Sequence, residues 1–358
     1  MILDHESLGK PMELKCTMPK ILLIAPRIGG VGGIAQHVRQ LAKRLSEAGW
    51  EVHLLSSETM ELSMRKGVAN IEYAFASAAK CFGGSYDIAH GHNLPSILAL
   101  KFVRAKAKLL TLHGVYSRQI SLLHGKLIGL AAELAEKTTL KWVDKVTAVT
   151  RLAASYYRRL GIKAKYIPNA IDLSELPTER KRITTPQITY LGRLSREKGV
   201  DLLIEAASMG LKGIVIAGDG PLRPLIEKAA QKSLIHYLGP LPRSEALKIL
   251  AGSDVAVLPS RAEGVSTALL EAMALKIPIV ATRVGGNLEV IRDRVDGILV
   301  EPEAEEIYEA IKFLVENRKD AEKLSEKAYQ KVLTQYNWER TFSRYLSLYH
   351  SLISQSGH

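Results

Sequence analysis

The sequence predicts an α/β protein built on two doubly wound parallel sheets. Three observations carry that reading. Short apolar runs alternate with helical runs along nearly the whole chain, the pattern of repeated β-α units. Many of the apolar runs end in Gly, Pro or His, as strands do where they pass into a ligand-facing loop. The alternation pauses over 168–186, a charged, Pro-containing stretch, and then starts again. The divisions that follow are a polar, patternless extension over 1–17, read as disordered, a first domain over 18–172, a second over 173–336 and a terminal helix over 337–358. A chain of 358 residues with 47% hydrophobic content is long and apolar enough for two cores.

The first strand is the continuous apolar run Ile-Leu-Leu-Ile-Ala at 21–25, expected of a strand buried on both faces. It leads into Gly29, Gly30, Gly32 and Gly33, four glycines in five positions, which let a backbone come close to a ligand. A helix over 34–48 completes a strand, glycine loop and helix, a layout that binds anions. The glycine spacing does not fit the dinucleotide fingerprint G-x-G-x-x-G. Strands follow over 51–56, 86–90, 109–113, 145–149 and 164–167, with helices over 94–106 and 151–160 and a long amphipathic stretch over 119–142. His90, His92 and His113 fall at strand ends, where such sheets bind ligands. His113 is the first choice among them, against the plain alternative of a structural histidine.

In the second half, the strand over 188–191 ends in Gly192-Arg193-Leu194-Ser195-Arg196-Glu197-Lys198-Gly199, and a helix follows to 209. The strand over 213–217 ends in Gly218-Asp219-Gly220-Pro221. Further strands are expected over 234–238, 254–258, 277–281 and 297–300, with helices over 303–316 and 320–335. The last helix carries Trp338, Phe342, Tyr345, Leu346 and Tyr349 at helical spacing, read as a packing stripe.

The chemistry concentrates after the strand over 254–258. Glu263-Gly264-Val265-Ser266-Thr267 forms a loop, Ser266 or Thr267 caps a helix, and Glu271 sits about one turn inside it. Such a helix start offers free N–H groups and the positive end of the dipole, which suits a phosphate. Two carboxylates beside it can accept hydrogen bonds from the vicinal hydroxyls of a ribose and a hexose. A nucleotide-sugar carries all three parts. Arg193 and Lys198, around another helix start, can stabilise charge building on a departing diphosphate. The plain alternative, solvated charges flanking ordinary strand–helix turns, stays open on these residues alone.

Composition excludes other classes. Two cysteines give no disulfide framework, and the ten histidines show no metal-ligand spacing. No apolar run reaches the ~18 residues of a membrane span, and no signal-peptide pattern is present. These features predict a cytoplasmic protein. The net charge of +12 is uneven: residues 1–172 hold 24 Lys/Arg against 13 Asp/Glu, and residues 173–358 hold 25 against 24. A basic first half predicts a polyanionic partner, either an anionic membrane surface on its inner face or a phosphorylated or lipid-linked acceptor. Lys101, Arg104, Lys106 and Lys108 form one basic cluster, and Arg118 and Lys126 flank the apolar stretch over 120–123. Aromatic content of 6% and the lack of a recognition motif argue against nucleic acid.

Together these motifs resemble the retaining, nucleotide-sugar-dependent glycosyltransferases of family 4. The resemblance rests on Gly192-Arg193-Leu194 with Lys198-Gly199, on Gly218-Asp219-Gly220-Pro221, on Glu263 and Glu271 with seven residues between them, on Pro168-Asn169-Ala170-Ile171-Asp172 and on the glycine loop over 29–33. It covers about residues 18–350. The resemblance implies the GT-B fold: two Rossmann-like domains facing across a cleft, with the C-terminal helix packing back on the first. It further implies that Arg193 and Lys198 hold the diphosphate, Glu271 the ribose and Glu263 the transferred sugar. Gly264, Val265, Ser266 and Thr267 would touch sugar and phosphate, Gly218, Asp219 and Gly220 would border the donor, and His113 would lie near the sugar. The donor would be UDP- or GDP-linked and the acceptor a sugar, polyol or lipid-linked hydroxyl, with no metal and no further cofactor. Val265 and Ser266 stand where many members have Phe-Gly, a change next to the sugar. An epimerase, hydrolase or phosphorylase of the same fold, and a non-enzymatic binder, are the rival readings.

Overall fold

The computed structural model describes residues 18–29, 32–62, 69–117, 120–121 and 125–356. The expectations for 1–17, Gly30, Arg118 and 122–123 lie outside these residues. The first sheet contains β1 (Lys20–Ile24), β2 (Glu51–Leu55), β3 (Ser85–His92), β4 (Arg104–Leu112), β5 (Lys145–Ala148) and β6 (Ala164–Tyr166). Its order is β2-β1-β3-β4-β5-β6, with every neighbouring pair parallel. Around it lie α1 (Gly33–Glu47), α2 (Ala69–Lys80), α3 (Ile97–Phe102), α4 (Lys126–Thr139) and α5 (Arg151–Arg159).

The second sheet contains β7 (Ile188–Leu191), β8 (Ile214–Ala217), β9 (His236–Tyr237), β10 (Val255–Leu258), β11 (Ile279–Thr282) and β12 (Ile298–Val300). It runs β12-β11-β10-β7-β8-β9, again all parallel. Its helices are α6 (Val200–Ser208), α7 (Arg223–Gln231), α8 (Arg243–Ala251), α9 (Thr267–Ala274), α10 (Asn287–Val290), α11 (Ala304–Glu316) and α12 (Arg318–Gln335). The last helix is α13 (Trp338–Gln355).

β1 shows why an unbroken apolar run suits a doubly covered sheet. Successive side chains point to opposite faces. Ile21 and Leu23 meet Val38 and Leu41 of α1 together with Trp338, Tyr345 and Tyr349 of α13. Leu22 and Ile24 face the other way, into the core with Tyr73, Leu100 and Tyr157. The aromatic stripe of α13 therefore packs on the first sheet. Burial at about 25 cal/mol per Å² gives each such ring a gross contribution of about 4 kcal/mol. The chain returns to the first domain beside the point where it left, because Ile171 N donates to Tyr336 O at 2.8 Å.

α2, α7 and α8 lie outside the sequence expectations, and two of the expected stretches differ in type or extent. β4 begins at Arg104, and α3 ends at Phe102 instead of continuing to 106. Arg104 and Lys106 alternate with Ala105 and Ala107, the period of a strand, with the cations outward. These cations therefore lie at the amino end of the sheet, and Lys106 is paired with Asp87 at 2.7 Å. The stretch over 119–142 is shorter as a helix, since Gly125 at φ 92 precedes α4 and a 3-10 turn, Leu140–Trp142, ends it.

Gly199 fixes the start of α6. Its φ is +66, and a Cβ there would sit 1.8 Å from Pro259 O at the end of β10. Gly199→Ala is expected to cost about 2–4 kcal/mol, from left-handed strain plus overpacking. The urea unfolding midpoint of the second domain checks this.

Candidate active site

The carboxyl ends of both sheets open on one cavity of about 790 Å³, within the range of roughly 300–1,000 Å³ common for small-ligand sites. In the second sheet the strand order reverses between β7 and β10, which are direct neighbours. Open parallel sheets bind ligands at such a switch point. The loop after β7 brings Arg193 and Lys198 there, and the loop after β10 brings Ser260 and Glu263. Lys198 and Glu263, 65 apart in sequence, meet because their strands pair.

Lys198 Nζ and Glu263 Oε2 form an ion pair at 2.6 Å. Ser260 Oγ donates to the same oxygen at 3.1 Å, and Gly264 N donates to the other at 3.2 Å. The buried carboxylate is thus oriented by three groups. Arg193 is exposed within the cavity and has no carboxylate partner among the described residues. Its loop is pinned, since Tyr190 OH donates to Arg193 O at 2.7 Å and Leu194 N to Asp219 O at 2.9 Å. Ser266 is the N-cap of α9 and makes no side-chain capping bond. The first-turn N–H groups of α9 are left for a ligand.

Glu271 is buried on α9, and burial pushes its carboxyl up, opposed by Arg243. Arg243 reaches it at 2.9 Å and also pairs with Glu175 at 2.5 Å. Gln36 of α1 bonds Glu271 from the first domain, and Gln40 of α1 bonds Glu175. The Glu271 carboxylate is therefore wired to both domains.

Other contacts also join the domains. A Cβ on Gly264 would lie 2.5 Å from His113 O, so a glycine lets the two loops touch. Glu289 of α10 accepts from Arg151 N at 2.6 Å and Leu152 N at 2.5 Å. A carboxylate of the second domain thus sits at the N-terminus of α5 in the first, where dipole and free N–H groups favour it. Asn169 spans the junction, with Oδ1 3.1 Å from His37 Nδ1 and Nδ2 donating to Val265 O at 3.4 Å.

His113, half-buried, packs against three buried histidines, His37, His90 and His92. His92 Nδ1 lies 3.3 Å from His113 Nε2, and the His37 ring centroid lies 5.1 Å from that of His113. His90 bonds Tyr349 OH and Thr111 Oγ1, both at 2.7 Å. Burial lowers all four, His37 to about 4 and the others well below the ordinary imidazole value. His113 thus meets the cavity as a neutral ring, able to bond a hydroxyl without adding charge.

The two family profiles meet at residue 175. The profile of glycosyltransferase family 4 matches residues 31–175, and that of glycosyl transferases group 1 matches 175–331. This protein belongs to the family 4 glycosyltransferases. A phosphatidylinositol N-acetylglucosaminyltransferase chain of Homo sapiens is 24% identical to it, over 89% of this chain and 73% of the human one. Sucrose-phosphate synthase from Thermosynechococcus elongatus superposes on the transferase with a TM-score of 0.80 at 20% identity, covering 94% of this chain and 100% of that one. The Anabaena protein HepE, solved with UDP-glucose, gives 0.70 at 16% identity, over 93% and 100% of the two chains. These likenesses give the transferase the GT-B fold.

The transferase's cavity gathers most of the residues that the sequence singled out. His113, Gly32, Gly33, Gly192, Arg193, Lys198, Gly218, Asp219, Glu263, Gly264, Val265, Ser266, Thr267 and Glu271 all line it. Gly29 and Gly220 do not; Gly29 lies beside the Glu58 carboxylate instead. His90 and His92 are packed behind the wall. Sequence reasoning missed Arg243, Gln36 and Asn93. Arg243 follows Pro240-Leu241-Pro242 at a helix start, a signal that was available. Asn93 follows the end of β3, where such sheets bind ligands, so a signal was available for it too; Gln36 carried none, because it reaches the site only through the meeting of elements.

Proposed function

We propose that this glycosyltransferase moves a hexose-type sugar, with retention of configuration, from a UDP- or GDP-linked donor to a hydroxyl acceptor. The acceptor is anionic or lipid-linked, presented at the cytoplasmic face of a membrane. One observation carries the reading: Arg193, Lys198, the start of α9 and the two carboxylates Glu263 and Glu271 line one cavity at the switch point of the second sheet. That set of two hydroxyl acceptors, two cations and a helix start supplies partners for a sugar, a diphosphate and a ribose. The UDP-glucose bound in HepE and the phosphatidylinositol in the human relative's name support donor and acceptor classes.

In this scheme the acceptor oxygen attacks the anomeric carbon on the face that the diphosphate leaves. The bond from carbon to phosphate oxygen breaks, and its electron pair goes to the diphosphate. The acceptor's proton passes to the leaving phosphate oxygen. Arg193, Lys198 and the N–H groups of α9 stabilise the charge that builds there. No metal is required in this scheme, since fixed cations and helix N–H groups carry the diphosphate charge.

A panel of donors, with products read by mass spectrometry, tests the reading. Glu271→Ala is expected to weaken binding of the free nucleoside diphosphate about tenfold or more, since a buried acceptor of two hydroxyls is lost. Glu263→Ala is expected to leave that affinity nearly unchanged and to impair transfer. Titration calorimetry separates them, and equal losses of nucleotide affinity would contradict the assignment.

A further inference from the structure

α4 turns its apolar face to solvent. Leu127, Leu130 and Leu134 are 85%, 66% and 65% exposed. Spacings of three and four place them on one face of the helix, with exposed Ala131 between them. Ile128 flanks that face and is 53% exposed. The opposite face hides a carboxylate. Glu136 is buried and accepts from Ser117 N at 3.2 Å and Tyr157 OH at 2.9 Å. Glu133 is bonded to Tyr156 OH. A surface helix ordinarily turns leucines inward and glutamates outward. Contiguous exposed apolar residues mark a surface that meets something apolar.

Charge identifies the occupant. Along α4 and the 3-10 turn Leu140–Trp142, the exposed charged residues are Lys126, Lys137 and Lys141, all cations. At that end Lys101 Nζ lies 4.1 Å from the centroid of the Trp142 ring, adding a fourth. The two carboxylates are turned away onto tyrosines. A second copy of the chain would bring these cations together, whereas an anionic lipid surface complements leucines and lysines at once.

We propose that this face of α4 docks the protein on an anionic phospholipid bilayer, the leucines entering the boundary between headgroups and acyl chains. The segment leading to α4 comes from β4, and its Leu112, His113, Gly114 and Tyr116 line the first-domain wall of the cavity. Docking here brings the acceptor side of the cleft to the lipid. The inference deepens the acceptor reading above, and its test needs no turnover.

Co-sedimentation with vesicles of equimolar phosphatidylglycerol and phosphatidylcholine, against phosphatidylcholine alone, decides it. Binding is expected to the anionic vesicles and to be roughly tenfold weaker to the neutral ones. It should be lost near 1 M salt, where the screening length is about 3 Å. The triple variant Leu127→Gln, Leu130→Gln, Leu134→Gln should reduce partitioning about tenfold or more. Its helicity and thermal midpoint should hold, because these side chains meet solvent. Replacing Lys126, Lys137 and Lys141 by Gln should remove the preference for anionic vesicles. No binding at low salt, or equal binding by the leucine variant, overturns docking. A dimer in sedimentation velocity that the leucine variant dissolves, with vesicles unbound, assigns the face to a second copy and also overturns it. Donor turnover measured on the same wild-type sample keeps the two readings apart: absent docking with sugar transfer intact leaves the transferase reading standing.

Discussion

Arg193→Ala and Lys198→Ala are each expected to lower kcat about 10²–10³-fold, the cost of removing one preorganised donor from developing charge, about 3–4 kcal/mol. The effect falls on kcat because the leaving diphosphate gains its extra charge only in the transition state. The two variants should differ in stability. Arg193 is exposed in the cavity and its guanidinium has no carboxylate partner among the described residues, so its loss leaves nothing unpaired. Lys198 holds the buried Glu263 at 2.6 Å, and removing it leaves a carboxylate without its cation. Lys198→Ala should therefore also lose about 1–3 kcal/mol of stability. Steady-state rates with a donor found in the panel, read beside thermal midpoints, check both halves. Near-normal turnover in both variants would remove these residues from the diphosphate.

What the sequence discloses follows from how local each signal is. β1 and β10 are legible because full burial demands unbroken apolar runs of a strand's length. The Glu263–Glu271 stretch is legible because a strand end, an N-cap and helix formers follow one another within a dozen residues. α2, α7 and α8 are not, since their apolar residues are few and mixed with charge, and packing on the sheet stabilises them more than pattern does. The start of β4 reads as helix because Arg104-Ala105-Lys106-Ala107 favours helix by propensity, and its pairing with Ser85 and Tyr86 of β3 overrides that. The Lys198–Glu263 pair cannot be read at all. Each residue by itself reads as a ligand contact, and only the pairing of β7 with β10 sets them against each other. The same holds for Arg243 on Glu271, and for the histidines that gather from α1, β3 and the end of β4.

Acidification from pH 7 to pH 5 is expected to destabilise the first domain steeply, through that histidine group. His37, His90 and His92 are buried and His113 is half-buried at the cavity wall, and desolvation disfavours the charged ring, setting His37 at about 4 and the others well below the ordinary value. In the unfolded chain each imidazole titrates near about 6.5. Below that pH the unfolded state binds more protons than the folded one, so stability falls as pH falls. The contribution is whole above about 6.5 and, for His37, is exhausted only below about 4. At pH 5 each neutral-held histidine costs about 2 kcal/mol relative to pH 7. The group opposes its own charging, because a first imidazolium at His37 repels one at His92 or His113, whose ring centroids lie 5.4 and 5.1 Å away. Buried Nε2 atoms of His37 and His92 without a hydrogen-bond partner fit unprotonated nitrogens. The consequence reaches function, since these rings pack on Trp338 and Tyr345 of α13 while His113 lines the cavity. Urea titrations at the two pH values measure the loss. His90→Gln removes one titrating ring, so this variant starts less stable but should lose about 2 kcal/mol less than the wild type between pH 7 and pH 5. An unfolding midpoint that does not move with pH, or a variant that follows the wild-type slope, would mean that these rings are not held neutral by the fold.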